Sequence, residues 1–156
     1  MKYIVLIFNL LISSIALAQP APDFKLDNPA LAQKLSDLKG KVIYLDFWAS
    51  WCAPCRKSFP WLNQIQAQYK DKGFTVIAVN VDVEKALATE FLAQIPANFP
   101  IVYDPEGNIA NAYQLVGMPS SFIINKQGEI AVAHVGFHSK KIQQYQQEIE
   151  HLLNQK

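Results

Sequence analysis

Two cysteines occur in this chain of 156 residues, Cys52 and Cys55, separated by Ala53 and Pro54. A bridge between them closes almost no loop, so it restrains the unfolded chain little and has to be explained by reactivity. Residues three apart on a helix share a face, which brings the two thiols within disulfide reach, with Cα atoms about 5.5 Å apart. Upstream, residues 41–47 (KVIYLDF) are a compact run of strand formers; from residue 52 to about residue 70, Phe59, Leu62, Ile65 and Tyr69 recur on one side of a helix. Cys52 therefore sits at a strand-to-helix junction, among the free N–H groups of the helix start, where a C-x-x-C thiol has its pKa lowered to about 7 or below. That makes Cys52 the attacking thiolate and leaves Cys55, one turn deeper, to resolve a mixed disulfide. The bare spacing leaves open a structural bridge or half of a four-thiolate zinc site. Zinc fails on ligand count, because the sequence has no further cysteine and His134, His138 and His151 fall in a strand, a loop and a helix far along the chain.

The elements that position the pair are readable from periodicity. Asp46 lies inside the first buried strand, where an unpaired carboxylate has its pKa raised or destabilises the fold, so a functional reason is expected for it. Pro60 falls within the helix and removes one backbone hydrogen bond. Gly73 ends the helical unit and residues 74–81 (FTVIAVNV) form a second buried strand. The resulting β-α-β order predicts a parallel pair with a right-handed crossover and an α/β class. Asp82 reads as the N-cap of a helix reaching about Gln94, with Leu87, Phe91 and Ile95 on its core face. A short apolar segment at 101–103, a turn at 104–107 and a brief helix near 109–113 follow. Residues 121–125 and 129–135 then read as an antiparallel hairpin about Lys126-Gln127-Gly128. Ile142, Tyr145, Ile149 and Leu152 mark a last amphipathic helix. Residues 19–28 read as a flexible lead-in, and 31–38 as a short element packing its leucines on the domain.

Composition bounds the partners. With 51% hydrophobic and 17% charged residues the chain is an ordinary globular one, and a net charge of +1 without a basic run gives no support for nucleic acid or anionic lipid. Lys2, the apolar stretch at 3–17 and Ala16-Leu17-Ala18 read as a cleaved secretory signal over residues 1–18, with an uncleaved anchor as the alternative. One domain is expected over residues 19–156, delivered to the periplasm, where only a redox role accounts for so few cysteines.

The segment Asp46-Phe47-Trp48-Ala49-Ser50-Trp51-Cys52-Ala53-Pro54-Cys55 resembles the active site of the thioredoxin superfamily, and Pro60, Gly117-Met118-Pro119 and Val135-Gly136 match further family positions in order. Ala21-Pro22-Asp23-Phe24 and the extra segment before Pro119 make the chain more similar to the exported TlpA/ResA branch, which includes reductants serving cytochrome c maturation. The resemblance implies a thioredoxin-like fold, with a central mixed β-sheet flanked by helices. It also implies that Asp46 exchanges a proton with Cys55, and that Pro119 is cis beside the disulfide. Met118 is then expected to offer backbone hydrogen bonds to an extended substrate, with Trp51 and Met118 lining the docking surface. Ala78 departs from the family, standing where thioredoxins carry a lysine beside the buried acid.

The expected activity is thiol–disulfide exchange on disulfide-bearing proteins, as a reductant, by a monomer needing no cofactor beyond its own thiols but drawing electrons from a membrane thiol donor. Ala53-Pro54 resembles the Gly-Pro of reductants more than the Pro-His of oxidants. Two alternatives are a thiol peroxidase and a redox-linked metal or partner-binding module. Leu45 and Ala49 depart from the Pro-x-x-x-Thr/Ser-x-x-Cys of peroxiredoxins, and the C-x-x-C spacing departs from the C-x-x-x-C of copper-handling relatives.

Overall fold

The computed structural model describes residues 19–28 and 31–155, so the expected leader at 1–18 lies outside the described residues. In chain order the elements are β1 (Gln19–Pro20), β2 (Lys25–Asn28), β3 (Ala32–Lys34), β4 (Val42–Trp48), α1 (Ala53–Tyr69), β5 (Phe74–Asn80), α2 (Lys85–Gln94), β6 (Ile101–Tyr103), α3 (Asn108–Ala112), β7 (Ser120–Ile124), β8 (Glu129–Val135) and α4 (Ile142–Asn154). Among the described residues the main sheet has six strands in the order β1-β8-β7-β4-β5-β6. β4, β5 and β6 run parallel, and β7, β8 and β1 add antiparallel strands on the other side of β4. This is the expected mixed sheet of a thioredoxin-like fold.

β4 is central and wholly buried, because Val, Ile, Tyr, Leu and Phe fill both of its faces. Its alternation divides the core. Val42, Tyr44 and Trp48 point to the face covered by α1, α2 and α4, while Ile43, Leu45 and Phe47 point to the face covered by Leu26, Leu35, Leu38 and Tyr113. Gly73, at φ 77°, closes the crossover between α1 and β5 in a left-handed conformation that a side chain would strain.

Three expectations are corrected. The lead-in is tied down: β1 pairs with β8, and β2 pairs with β3, whose chain runs on into a 3₁₀ turn (Leu35–Leu38) that buries Leu35 and Leu38. Asp82 does not cap α2, whose N-cap is Glu84 without a side-chain bond; the Asp82 carboxylate turns back to Ser50 instead. With that start, Ala88 and Phe91 form the buried face of α2, and Leu87 is 41% exposed.

Candidate active site

The site lies at the C-terminal end of β4, where the chain leaves the sheet and turns into α1. That turn is held from behind. Val81 N–H donates to Trp48 C=O (3.0 Å) and Cys52 N–H to Ala49 C=O (3.1 Å). Ser50 donates twice to Asp82, from N–H to Oδ2 (2.9 Å) and from Oγ to Oδ1 (2.8 Å), and Asn80 Nδ2 donates to the same Oδ2 (2.7 Å). Asp82 and Asn80 are both buried and Ser50 is half-buried, so the Asn80–Asp82 bond forms away from water, and the three bonds together fix the loop two residues ahead of the first thiol. Below the loop, Trp48 packs on Phe59 and Phe91 with centroids 4.9 and 4.7 Å away, which seats α1 on β4.

Cys52 and Cys55 are joined as a disulfide with Cα atoms 5.3 Å apart. Cys52 is the N-cap of α1, and its Sγ accepts from Cys55 N–H at 3.3 Å. A sulfur thus occupies the place where a Ser or Asp oxygen usually satisfies a free N–H, and the helix dipole favours its thiolate when the bridge opens. Pro54 costs the first turn nothing, since its missing N–H is one that has no helical acceptor. Both cysteines are buried, Cys52 at 3% exposure and Cys55 at 0%, so Cys55 is the deeper of the two. Arg56 is turned away, its guanidinium 4.9 Å from the Phe91 ring centroid and its Nη1 donating to Gln94 Oε1 at 3.2 Å.

Asp46 is 2% exposed on the α1 face of β4, two residues before Trp48. Ala78 is its neighbour in register on β5 and Ser121 its neighbour on β7. Its Oδ2 has no hydrogen-bond partner, and among the described residues no ion pair reaches it. Burial therefore pushes its carboxyl well above the ordinary value.

The Met118–Pro119 peptide is cis. Pairing of Phe47 with Ser120 brings Pro119 level with Trp48, at the same end of the sheet as the disulfide. The loop is clamped by Gly136 N–H donating to Pro119 C=O and Ser120 Oγ donating to Gly117 C=O, both at 2.7 Å. A Cβ at Gly117 would stand 3.2 Å from Val135 Cγ1, closer than an ordinary van der Waals contact, so the loop packs tightly on β8 there. Met118 is half-buried and packs on the core, whereas Trp51 is 67% exposed beside Cys52. Cys52, Cys55 and Trp51 thus lie at the turn from β4 into α1, Met118 and Pro119 on the loop level with Trp48, and Asp46 two residues earlier on β4, with Asp82 and Asn80, which periodicity assigned to a cap and a strand end, behind the turn. Among the described residues no cluster of three or more His, Cys, Asp and Glu side chains could hold a metal.

Comparison with known proteins agrees with this geometry. The Redoxin family profile matches residues 16–149. The chain is 35% identical over 130 residues to the thiol-disulfide oxidoreductase ResA of Geobacillus kaustophilus, covering 83% of this chain and 75% of that one. It is 36% identical over 124 residues to ResA of Bacillus subtilis, covering 79% and 69%. A crystal structure described as a candidate thiol:disulfide interchange protein DsbE from Chlorobium tepidum superposes with a TM-score of 0.83 at 49% identity, covering 88% of this chain and 97% of that one. With a C-x-x-C disulfide capping its first long helix and a cis-proline loop level with it, the chain belongs to the Redoxin family of the thioredoxin superfamily and is a ResA-like thiol–disulfide oxidoreductase.

Proposed function

We propose that this oxidoreductase works as a reductant of disulfides in exported proteins, cytochrome c maturation being the setting that the resemblance to the TlpA/ResA branch implies. The observation that carries the direction is the modest stabilisation available to a Cys52 thiolate. The helix start and Cys55 N–H favour it, but Arg56 is engaged with Phe91 and Gln94, and no histidine stands between the thiols. A weakly stabilised thiolate makes a poor oxidant and a good reductant. In the cycle, the Cys52 thiolate attacks one sulfur of the substrate disulfide, which breaks and releases a substrate thiolate. Cys55 gives its proton to Asp46 and attacks Cys52 Sγ, so the substrate leaves with two electrons and the Cys52–Cys55 bridge re-forms. The substrate segment lies against Trp51 and the Met118–Pro119 backbone, in an extended form that adds to the loop by main-chain hydrogen bonds. Chemistry needs no cofactor beyond the two thiols. Residues 1–18 export the chain to the periplasm and are cleaved there, the domain acts as a monomer, and a membrane thiol donor re-reduces it. Equilibration with glutathione followed by alkylation tests the direction: a potential well below that of the oxidant DsbA, which lies near about −120 mV, is expected, and one close to that value would overturn the reductant assignment.

A further inference from the structure

Asp46 needs a way to remain an anion long enough to act as a base, and the β5 side of it, where Ala78 stands, offers nothing. The other side does. Register across β4, β7 and β8 sets Asp46 opposite Ser121 and Ser121 opposite His134, so the three share one transverse row on one face. Tyr44, two residues before Asp46 on the same face, reaches diagonally into this row, its hydroxyl donating to Ser121 Oγ at 2.9 Å. Having accepted from Tyr44, Ser121 keeps its own hydrogen to give. Asp46 Oδ2, an acceptor without a partner, is the register neighbour of this hydroxyl, across a pair whose Cβ atoms stand about 4.5–5.5 Å apart, and in the disulfide form the two are not hydrogen-bonded. Further out, Glu148 Oε2 and His134 Nε2 are 2.7 Å apart, and the His134 ring lies 4.8 Å from that of Tyr145. The titratable groups facing this row are therefore Tyr44 from β4, Cys55 from α1, His134 from β8, and Tyr145 and Glu148 from α4. Burial first, and then the charge of Asp46, hold the Tyr44 phenol well above its ordinary value, so it stays a donor throughout.

We propose that Tyr44 and Ser121 are positioning residues for Asp46 in the reduced protein: Tyr44 donates to Ser121, and once the Cys52–Cys55 bridge opens Ser121 turns its free hydrogen to the carboxylate, a hydroxyl chain that keeps Asp46 ionised until it takes the Cys55 proton. The proposal rests on Asp46 being that base. Once Asp46 is protonated its O–H is the donor and the Ser121 hydroxyl rotates to accept, so the same pair serves both states.

The test is a ¹³C carboxyl titration of Asp46 in the reduced full chain, read beside the pH profile of mixed-disulfide resolution by Cys55. Loss of a hydrogen bond to a charged group corresponds to a rise of about one pH unit in the Asp46 midpoint. Ser121→Ala is expected to show that rise, Tyr44→Phe a smaller one, and Ser121→Thr to restore the original midpoint. A midpoint unmoved in both Ser121→Ala and Tyr44→Phe overturns the chain, as does an equal shift in His134→Gln, which would assign the effect to distant charge. Asp46→Asn separates the two readings. If it leaves the resolution profile unchanged while the Ser121→Ala titration shifts, Asp46 is not the base but the chain stands; if it flattens the profile while the titrations of the other variants stay put, the base stands and the chain falls.

Discussion

Replacing Asp82 by alanine distinguishes two roles for this carboxylate by magnitude. As a helix N-cap, which its position before an amphipathic run suggests, its loss would cost about 1 kcal/mol. As the clamp seen here it receives three hydrogen bonds, at 2.9, 2.8 and 2.7 Å, from Ser50 N–H, Ser50 Oγ and Asn80 Nδ2. Hydrogen bonds to a charged group contribute about 1.5–3 kcal/mol each, and a buried donor left alone costs about 1–3 kcal/mol. Asn80 is sealed from water but Ser50 is only half-buried, so part of the loss is recovered by hydration at Ser50. The expected destabilisation is about 3–4 kcal/mol. With a urea m-value of about 2 kcal/mol/M, the midpoint falls by roughly 1.5–2 M at unchanged m. Ser50→Ala alone should lose less, and the double variant should show a coupling of at least about 1 kcal/mol. Iodoacetamide alkylation of the reduced protein should show Cys52 reactivity altered in Asp82→Ala, since the loop two residues ahead of it is released. A loss near 1 kcal/mol, no coupling with Ser50 and unchanged alkylation would refute the clamp.

Two further outcomes follow from the same geometry. Burial raises the Asp46 carboxyl in the folded state, so the folded protein holds this proton more tightly than the unfolded chain; stability is undiminished below the unfolded value near pH 3.9 and falls as pH rises toward the folded value. Asp46→Asn removes that slope, so its stability relative to wild type should climb from about pH 4 upward, by about 1.4 kcal/mol per pH unit until the folded pKa is passed; a difference independent of pH would refute the assignment of the buried charge. Cys55→Ser leaves Cys52 without its resolving partner, so mixed disulfides with substrate should accumulate on non-reducing gels and disappear with dithiothreitol. If Cys52 alkylates normally and nothing is trapped, exchange with protein disulfides is wrong.

Much of the frame was legible because it is written in local patterns. β4 and β5 are continuous runs of strand formers, α1 and α4 carry helical spacing, and the C-x-x-C pair stands where strand meets helix. What escaped depends on partners distant in sequence. β1 is two residues ending in proline, with no alternation to reveal that it pairs with Ile130 and Glu129. Asp82 carries the signature of an N-cap because an acid before an amphipathic run looks the same whether it binds its own helix or a loop across the sheet. Leu87 is placed on the core face with Phe91 and Ile95 by spacing of four; Phe91 is buried as that spacing predicts, but the second inward place goes to Ala88, three residues before it, and Leu87 lies at the edge of the buried stripe. Tyr44 and Ser121 are 77 residues apart and meet only because β7 lies antiparallel to β4.

The unequal burial of the two cysteines has a kinetic consequence. Cys55 is wholly buried and Cys52 is the one of the pair that retains any exposure, so an incoming thiolate meets the bridge from the Cys52 side and Cys55 is the leaving group. Electrons therefore enter and leave the protein by the same sulfur, at the same surface beside Trp51 and Pro119. Donor and acceptor cannot be bound together, so turnover alternates between two half-reactions of ping-pong form, and an excess of either partner inhibits by occupying the other's place.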